Sequence, residues 1–556
     1  MNSLRNRLPI ALFCLVMLLG AGLRLQRFLL RAPFWGDEAF VVLNVRDLPA
    51  RRMLGPLRYD QAAPPGFLLL QKAMARAFGT GELSMRAIPL ICGLAAMGIV
   101  AWLAWRLFGW PAAIFAGGLM ALCQNLIEYS AEVKQYSGDA CAAAILLAVA
   151  LGWEGSPLRR LWRSAIAAAI LVWFSHPAAI VFGGISAVLS IGAWRDLFGN
   201  GFRTLPGLGH SPSPFQAEGR GEGPEGRDAQ EPFGNSTRSD PLPSPPPGRG
   251  REKDAAARFL KPLLKAPAKV AGVLAANALF AGSFLLLYRY SIRFEHTNFL
   301  YSFWGDSFPD WSRPGTLLPW LIRQTSQWIN EPYHGAGWVL AALAVLSVRR
   351  WTKPWLMVAA ALGLTVIAAC LRQYPYGGSR LTLFTLPGFF LLAAAGGELI
   401  RQWMPSRWRG PWWILPGAVL GYGLAWGILR AAEPPYRSYL RPAIAYLETH
   451  RNPDEPIYCL GDPQLNKPRR IFVGRHVEIL CYWPNVPGKV ETEVRSLDQI
   501  GGDRFWVLVP FNVQDGVPTL NKALKLLAPI ATPMEKYVDP RGGAAILYRR
   551  HFSKHE

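Results

Sequence analysis

Recurrent apolar runs, each close to the thickness of a bilayer core, constrain this chain more than any other feature, because a helix needs roughly 20 such residues to cross. Eleven can be read, at 8–26, 87–107, 110–127, 137–153, 163–176, 178–195, 269–288, 335–348, 354–371, 382–400 and 411–430. Hydrophobic residues make up 51% of the 556 and charged residues only 17%, which excludes an ordinary soluble enzyme. The expected fold is a polytopic α-helical membrane protein of about eleven transmembrane helices. Arg5 and Arg7 precede the first run as they would in a signal peptide, but no small-residue cleavage site follows. An uncleaved anchor is therefore expected.

The net charge of +22 invites a nucleic-acid reading. Its placement argues against one. The basic residues gather at the ends of apolar runs, as Arg5/Arg7, Arg159/Arg160/Arg163, Arg349/Arg350/Lys353 and Arg401/Arg407/Arg409, where they orient spans. With a cytoplasmic N-terminus all four groups fall on the cytoplasmic side. Loops 27–86, 128–136, 289–334 and 372–381 and the tail after 430 then lie outside. This places the protein in the cell's inner (plasma) membrane as a multi-pass protein.

Three regions follow. Residues 1–430 form the membrane domain. Within it, 200–255 is rich in Pro, Gly, Ser and charge with no apolar period, and is expected to be a disordered, low-complexity cytoplasmic insertion. Residues 431–556 read as a small extracytoplasmic α/β domain, with helices over 440–450 and 519–527 and strands over 457–460, 505–509 and 544–548. Cys14, Cys92, Cys123 and Cys141 sit in apolar runs, and no metal-binding spacing appears. Cys459 and Cys481 are either a disulfide or two free thiols.

The polar residues that interrupt this pattern carry the chemistry. Phe34-Trp-Gly-Asp-Glu-Ala-Phe40 puts two carboxylates, Asp37 and Glu38, just beyond the first span. Acids beside lipid are costly and mark function, although one acid alone would cap a short helix. Asp60 precedes Pro64-Pro65 in the same long loop. Glu82 and Arg86, at i,i+4 spacing, read as a helix-end ion pair. The segment 128–139 supplies Glu132, Lys134 and Tyr136 between two spans. Arg372 and Arg380 bracket Tyr374 and Gly377-Gly378 in an outer loop, against the positive-inside pattern, and call for an anionic partner. The glycines would let backbone amides approach that anion. An aromatic loop, 301–309, contains Trp304. His176, ahead of Pro177, is read as structural.

Together these segments resemble the GT-C membrane glycosyltransferases, on the branch of protein O-mannosyltransferases and bacterial aminoarabinose transferases. The resemblance rests on Asp37-Glu38 after the first span, Asp60 before Pro64-Pro65, Tyr129-Ser-Ala-Glu-Val-Lys-Gln-Tyr136 and Tyr374-Pro-Tyr-Gly-Gly-Ser-Arg380. It departs from the family at Ala63-Pro-Pro-Gly-Phe67, which usually reads like His-Pro-Pro-Leu-Tyr, and at Lys134, where many members have Arg. It implies a polyprenyl-phosphate-linked sugar donor, a catalytic acid at the Asp-Glu motif and an outer product side.

Phosphate is a good leaving group that needs charge stabilisation, so transfer asks chiefly for one base and good positioning. Asp37 is the expected base. Glu38 and Asp60 are expected to orient the acceptor or to hold a divalent cation, the one candidate cofactor. Lys134, Arg372 and Arg380 are the expected phosphate ligands, and Glu132, Tyr136, Tyr374 and Trp304 the expected substrate contacts. The acceptor is a lipid, a glycan or a protein, with membrane lipids as surroundings and no nucleic acid. Two rival readings are a flippase for lipid-linked sugars and a non-catalytic envelope assembly protein. A transporter would place its ionisable residues near the midplane, whereas these cluster in outer loops.

Overall fold

The structure, a computed structural model, describes residues 2–32, 34–58, 61–198, 250–295, 297–378, 380–432, 441–459, 502–510, 521, 524–525, 527–539 and 543–551. Asp60, Cys481 and most of the expected 200–255 and 519–527 segments lie outside these residues.

Helices make up most of the described residues up to 432. In chain order they are α1 (Asn2–Leu29), α2 (Gly36–Asp47), α3 (Pro65–Phe78), α4 (Glu82–Phe108), α5 (Trp110–Leu122), α6 (Gln124–Tyr129), α7 (Tyr136–Leu151), α8 (Pro157–Leu171), α9 (Ala178–Phe198), α10 (Gly250–Tyr290), α11 (Asn298–Phe303), α12 (Leu317–Asn330), α13 (Ala336–Leu346), α14 (Thr352–Cys370), α15 (Leu386–Trp403) and α16 (Ile414–Ala432). Ten of the eleven expected spans each overlap one of them, and 110–127 runs across α5 and α6, which break at Cys123. Among the described residues, seven helical segments are long and apolar enough to cross a membrane, and three more apolar helices are shorter. The chain is a polytopic helical membrane protein. The segment around α15 is the central one, 89% buried within the bundle, whereas α1 is 11% buried and turns leucines such as Leu18 outward. Helix α10 begins at Gly250, inside the segment expected to be disordered, where Ala255–Ala257 and their charged neighbours are good helix formers.

The long loop after α1 is structured. Asp37 and Glu38 stand in the first turn of α2, where the helix dipole favours acids. Lys72 of α3 closes the other end, donating to the carbonyls of Val45 (2.6 Å), Arg46 (3.1 Å) and Leu48 (3.0 Å). Pro64 and Pro65 start α3 where a missing N–H costs nothing. Gly66 then explains one departure from the family pattern. Its N–H donates to the Trp173 carbonyl at 2.7 Å, and a Cβ there would stand 2.6 Å from that oxygen. Phe34, Val41, Val42, Val45, Phe67 and Met85 form a small core beneath α2.

After residue 440 the chain forms α17 (Arg441–His450) and a four-stranded sheet of β1 (Ile457–Cys459), β2 (Arg504–Pro510), β3 (Ala531–Asp539) and β4 (Gly543–Arg550), in the order β1-β2-β4-β3. Only β1 and β2 run parallel. Trp506, Leu508 and Leu547 face α17, while Phe505, Val507, Ile546 and Tyr548 pack on the other side. The edge strand β3 has no counterpart in the sequence reading. Its exposed, Pro533-interrupted course gives no run of apolar alternation.

Candidate active site

The two neighbouring acids of α2 point into different surroundings. Glu38 is 1% exposed. Its Oε1 accepts from Arg86 Nε (2.9 Å) and the Val133 backbone N–H (2.8 Å). Its Oε2 accepts from Arg86 Nη2 (2.7 Å) and the Trp35 N–H (3.3 Å). Glu38 thus caps its own helix and ties α2 to α4 and to the 130–135 segment. Arg86 also donates to the Ala32 carbonyl at 2.6 Å and lies over the Phe34 ring at 5.2 Å. The expected Glu82–Arg86 pair persists electrostatically, but Glu38 is the stronger partner.

Asp37 keeps 21% of its side chain exposed and faces two cations. Its Oδ2 is 2.9 Å from Arg380 Nη2 and 3.5 Å from Lys134 Nζ. Burial pushes the carboxyl up. Lys134 and Arg380, helped by a Gln61 hydrogen bond, outweigh burial and hold it below the usual carboxylate range. Lys134 is buried, which draws its ammonium down despite Asp37, and it donates to Gln61 Oε1 at 2.8 Å. Arg380 is enclosed by aromatic faces, with Trp35, Tyr136 and Trp304 at 5.5, 5.6 and 5.4 Å. This cage holds a planar cation in place while leaving its N–H groups directed at oxygen.

The expected residues therefore separate. Asp37, Lys134, Tyr136, Trp304 and Arg380 come together. Glu132 lies in the electrostatic reach of Lys134 and Arg86. Tyr374 is partly buried, donates to the Leu381 carbonyl at 2.8 Å and supports the turn that delivers Arg380. Arg372 is exposed, at a left-handed φ of 54°, and its charged neighbour is Asp310. The structure does not bring it to Asp37. The Gly377-Gly378 pair has a packing role. A Cβ on Gly377 would meet Gln324 Oε1 at 2.0 Å, and one on Gly378 would meet Glu331 Oε2 at 2.6 Å, so these glycines let the loop press on α12. Gln61 is the site residue that the sequence reading missed. It is uncharged, and its only signal was its place beside Asp60.

Asp37, Gln61, Lys134, Trp304 and Arg380 each follow an odd-numbered run in the eleven-span reading. Their contact puts all of these loops on one side of the helical layer. A divalent cation finds a poor fit at Glu38, whose two oxygens each accept two hydrogen bonds. Among the described residues no three His, Cys, Asp or Glu side chains come together as a metal site.

No protein-family model and no curated protein sequence matches the chain. Solved structures do. ArnT from Cupriavidus metallidurans bound to undecaprenyl phosphate aligns over 97% of both chains at 12% identity, with a TM-score of 0.50. The Archaeoglobus fulgidus oligosaccharyltransferase complex with Zn and sulfate aligns over 96% of this chain and 72% of that one, at 11% identity and a TM-score of 0.45. The chain shares its fold with ArnT. That likeness extends over nearly the whole chain, including the C-terminal part that the sequence motifs left unassigned.

Proposed function

We propose that this protein is an integral-membrane glycosyltransferase that moves a sugar from a polyprenyl-phosphate donor to an acceptor hydroxyl on the extracytoplasmic side. The observation that carries the reading is the Asp37 carboxylate held between Lys134 and the caged Arg380. The undecaprenyl phosphate bound to ArnT, whose fold this chain shares, supports the choice of donor. The positive-inside pattern supports the side.

Arg380 and Lys134 bind the donor phosphate. Its negative charge competes with Asp37 for them, so the Asp37 pKa rises and the carboxylate becomes a stronger base as the donor arrives. The acceptor hydroxyl gives its proton to Asp37 as its oxygen bonds to the anomeric carbon. The bond from that carbon to the phosphate oxygen breaks, and the polyprenyl phosphate leaves with its charge held by the two cations. One displacement inverts the anomeric centre. Glu38 and Arg86 fix α2 so that Asp37 faces the reaction.

Mass spectrometry of envelope lipids, glycans and proteins from cells carrying wild-type protein or Asp37→Asn tests this. A hexose- or pentose-sized increment present only with wild type is expected. Identical glycoconjugates in both, with a changed distribution of lipid-linked sugar across the membrane, would instead identify a flippase.

A further inference from the structure

A second polar cluster continues from the cations into the bundle. Tyr136 opens α7 with its ring on Arg380, and Asp139 lies three residues on, along the same helix face. Asp139 is 3% exposed, and its Oδ1 has no hydrogen-bond partner among the described residues. Ser175, in the turn between α8 and α9, lies against the Asp139 carboxyl, and His176 follows it in that turn. His176 Nδ1 lies 3.4 Å from Glu295 Oε2 beyond the end of α10, while its buried Nε2 is also without a partner among the described residues. Tyr374 sits in the field of Asp139, Tyr136 and Glu295 together, which joins this cluster to the Arg380 site.

Buried polar atoms left unpaired cost roughly 1–3 kcal/mol each. Two on separate elements, linked through Ser175 and through Tyr374, indicate a ligand that completes them. Their chemistry selects it. Burial pushes Glu295 up to about 8 and His176 down to about 4, so both are uncharged at neutral pH. Among the described residues no Lys or Arg pairs with Asp139 or Glu295, so nothing there attracts a phosphate. A carboxyl oxygen that accepts, an imidazole that does both and a carboxyl that donates match hydroxyl groups, which donate and accept at once.

We propose that Asp139, His176 and Glu295 form the wall that binds the sugar ring of the lipid-linked donor through its hydroxyls. This assignment rests on the transferase reading. It gives the site two parts, cations for the phosphate and a neutral polar wall for the sugar.

The test uses the purified full-length protein in lipid nanodiscs. Dissociation constants are measured for undecaprenyl phosphate alone and for a panel of undecaprenyl-phosphate hexosides and pentosides. Wild type should bind at least one glycoside about tenfold more tightly than the bare lipid phosphate. Asp139→Asn, His176→Gln and Glu295→Gln are near-isosteric. Those that keep the wild-type Tm should lose this preference while holding undecaprenyl phosphate within about twofold. Full preference retained in the folded variants, or a wild type that favours no glycoside, overturns the wall and leaves the phosphate site standing. A wild type that binds no undecaprenyl phosphate overturns the transferase reading itself.

Discussion

Asp37 and Glu38 are adjacent in sequence, carry the same group and begin the same helix, yet they occupy opposite kinds of site. Glu38 is sealed, with both oxygens saturated by Arg86 and two backbone N–H groups. Asp37 is partly open, and its two cations, Lys134 and Arg380, reach it from loops distant in the chain. A helix turn separates successive side chains by about 100°, enough to aim one acid into the protein and the other at Lys134 and Arg380. The sealed acid makes the open one precise. This division explains why the motif needs two carboxylates where a cap needs one.

The sharpest way to break the comparison is to neutralise each acid in turn. Asp37→Asn should lower kcat by about 10²–10⁴-fold, the usual contribution of a general base. The Tm should stay near wild type, because Asp37 carries little of the packing. Transfer to an acceptor from an undecaprenyl-phosphate glycoside, measured beside a melting curve, reads both. Wild-type turnover in folded Asp37→Asn would remove it as the base.

Glu38→Ala should show the inverse pattern. It strands Arg86 in a nearly sealed site, and breaking a buried ion pair costs about 3–5 kcal/mol. The expected outcome is a large fall in Tm or yield, with activity following the folded fraction. A stable Glu38→Ala protein with kcat reduced as far as in Asp37→Asn would mean that Glu38 acts in the chemistry.

How much of this was legible in the sequence depends on range. Asp37, Lys134, Tyr136 and Arg380 could be picked out because each is a polar or charged residue at the end of an apolar run, and the run lengths fixed the helices. Alternation of polarity could not tell Asp37 from Glu38, since the difference lies in Arg86 and Val133, which reach Glu38 through tertiary packing. It could not separate Arg372 from Arg380 either. That depends on a turn with φ of 54° at Arg372 and on the aromatic cage, whose rings come from three different loops. His176 read as structural for the same reason. Its partner, Glu295, is joined to it only by the fold.

The two arginines give the next test. Arg380→Ala should weaken donor binding by about 10–100-fold, the equivalent of losing a charge-assisted hydrogen bond of about 1.5–3 kcal/mol. Arg372→Ala should change it by less than about twofold, as expected for an exposed charge paired at most with Asp310. Titration of undecaprenyl phosphate into each variant measures both. Equal losses would restore the paired-arginine clamp suggested by the loop sequence.

The smallest effect is expected in the pH profile, where burial and the neighbouring charges shift both limbs. Activity needs Asp37 ionised and Lys134 protonated. The cations hold the Asp37 pKa down in the free protein, so the acid limb of kcat/KM should fall below the ordinary carboxylate value of about 3.9. Burial lowers the Lys134 pKa from its usual 10.5, so the alkaline limb should appear below that value. Lys134→Arg would keep the charge at every accessible pH and should move the alkaline limb upward, with little change at pH 7. An alkaline limb unmoved by that substitution would assign it to another group and would leave Arg380 as the cation that governs Asp37.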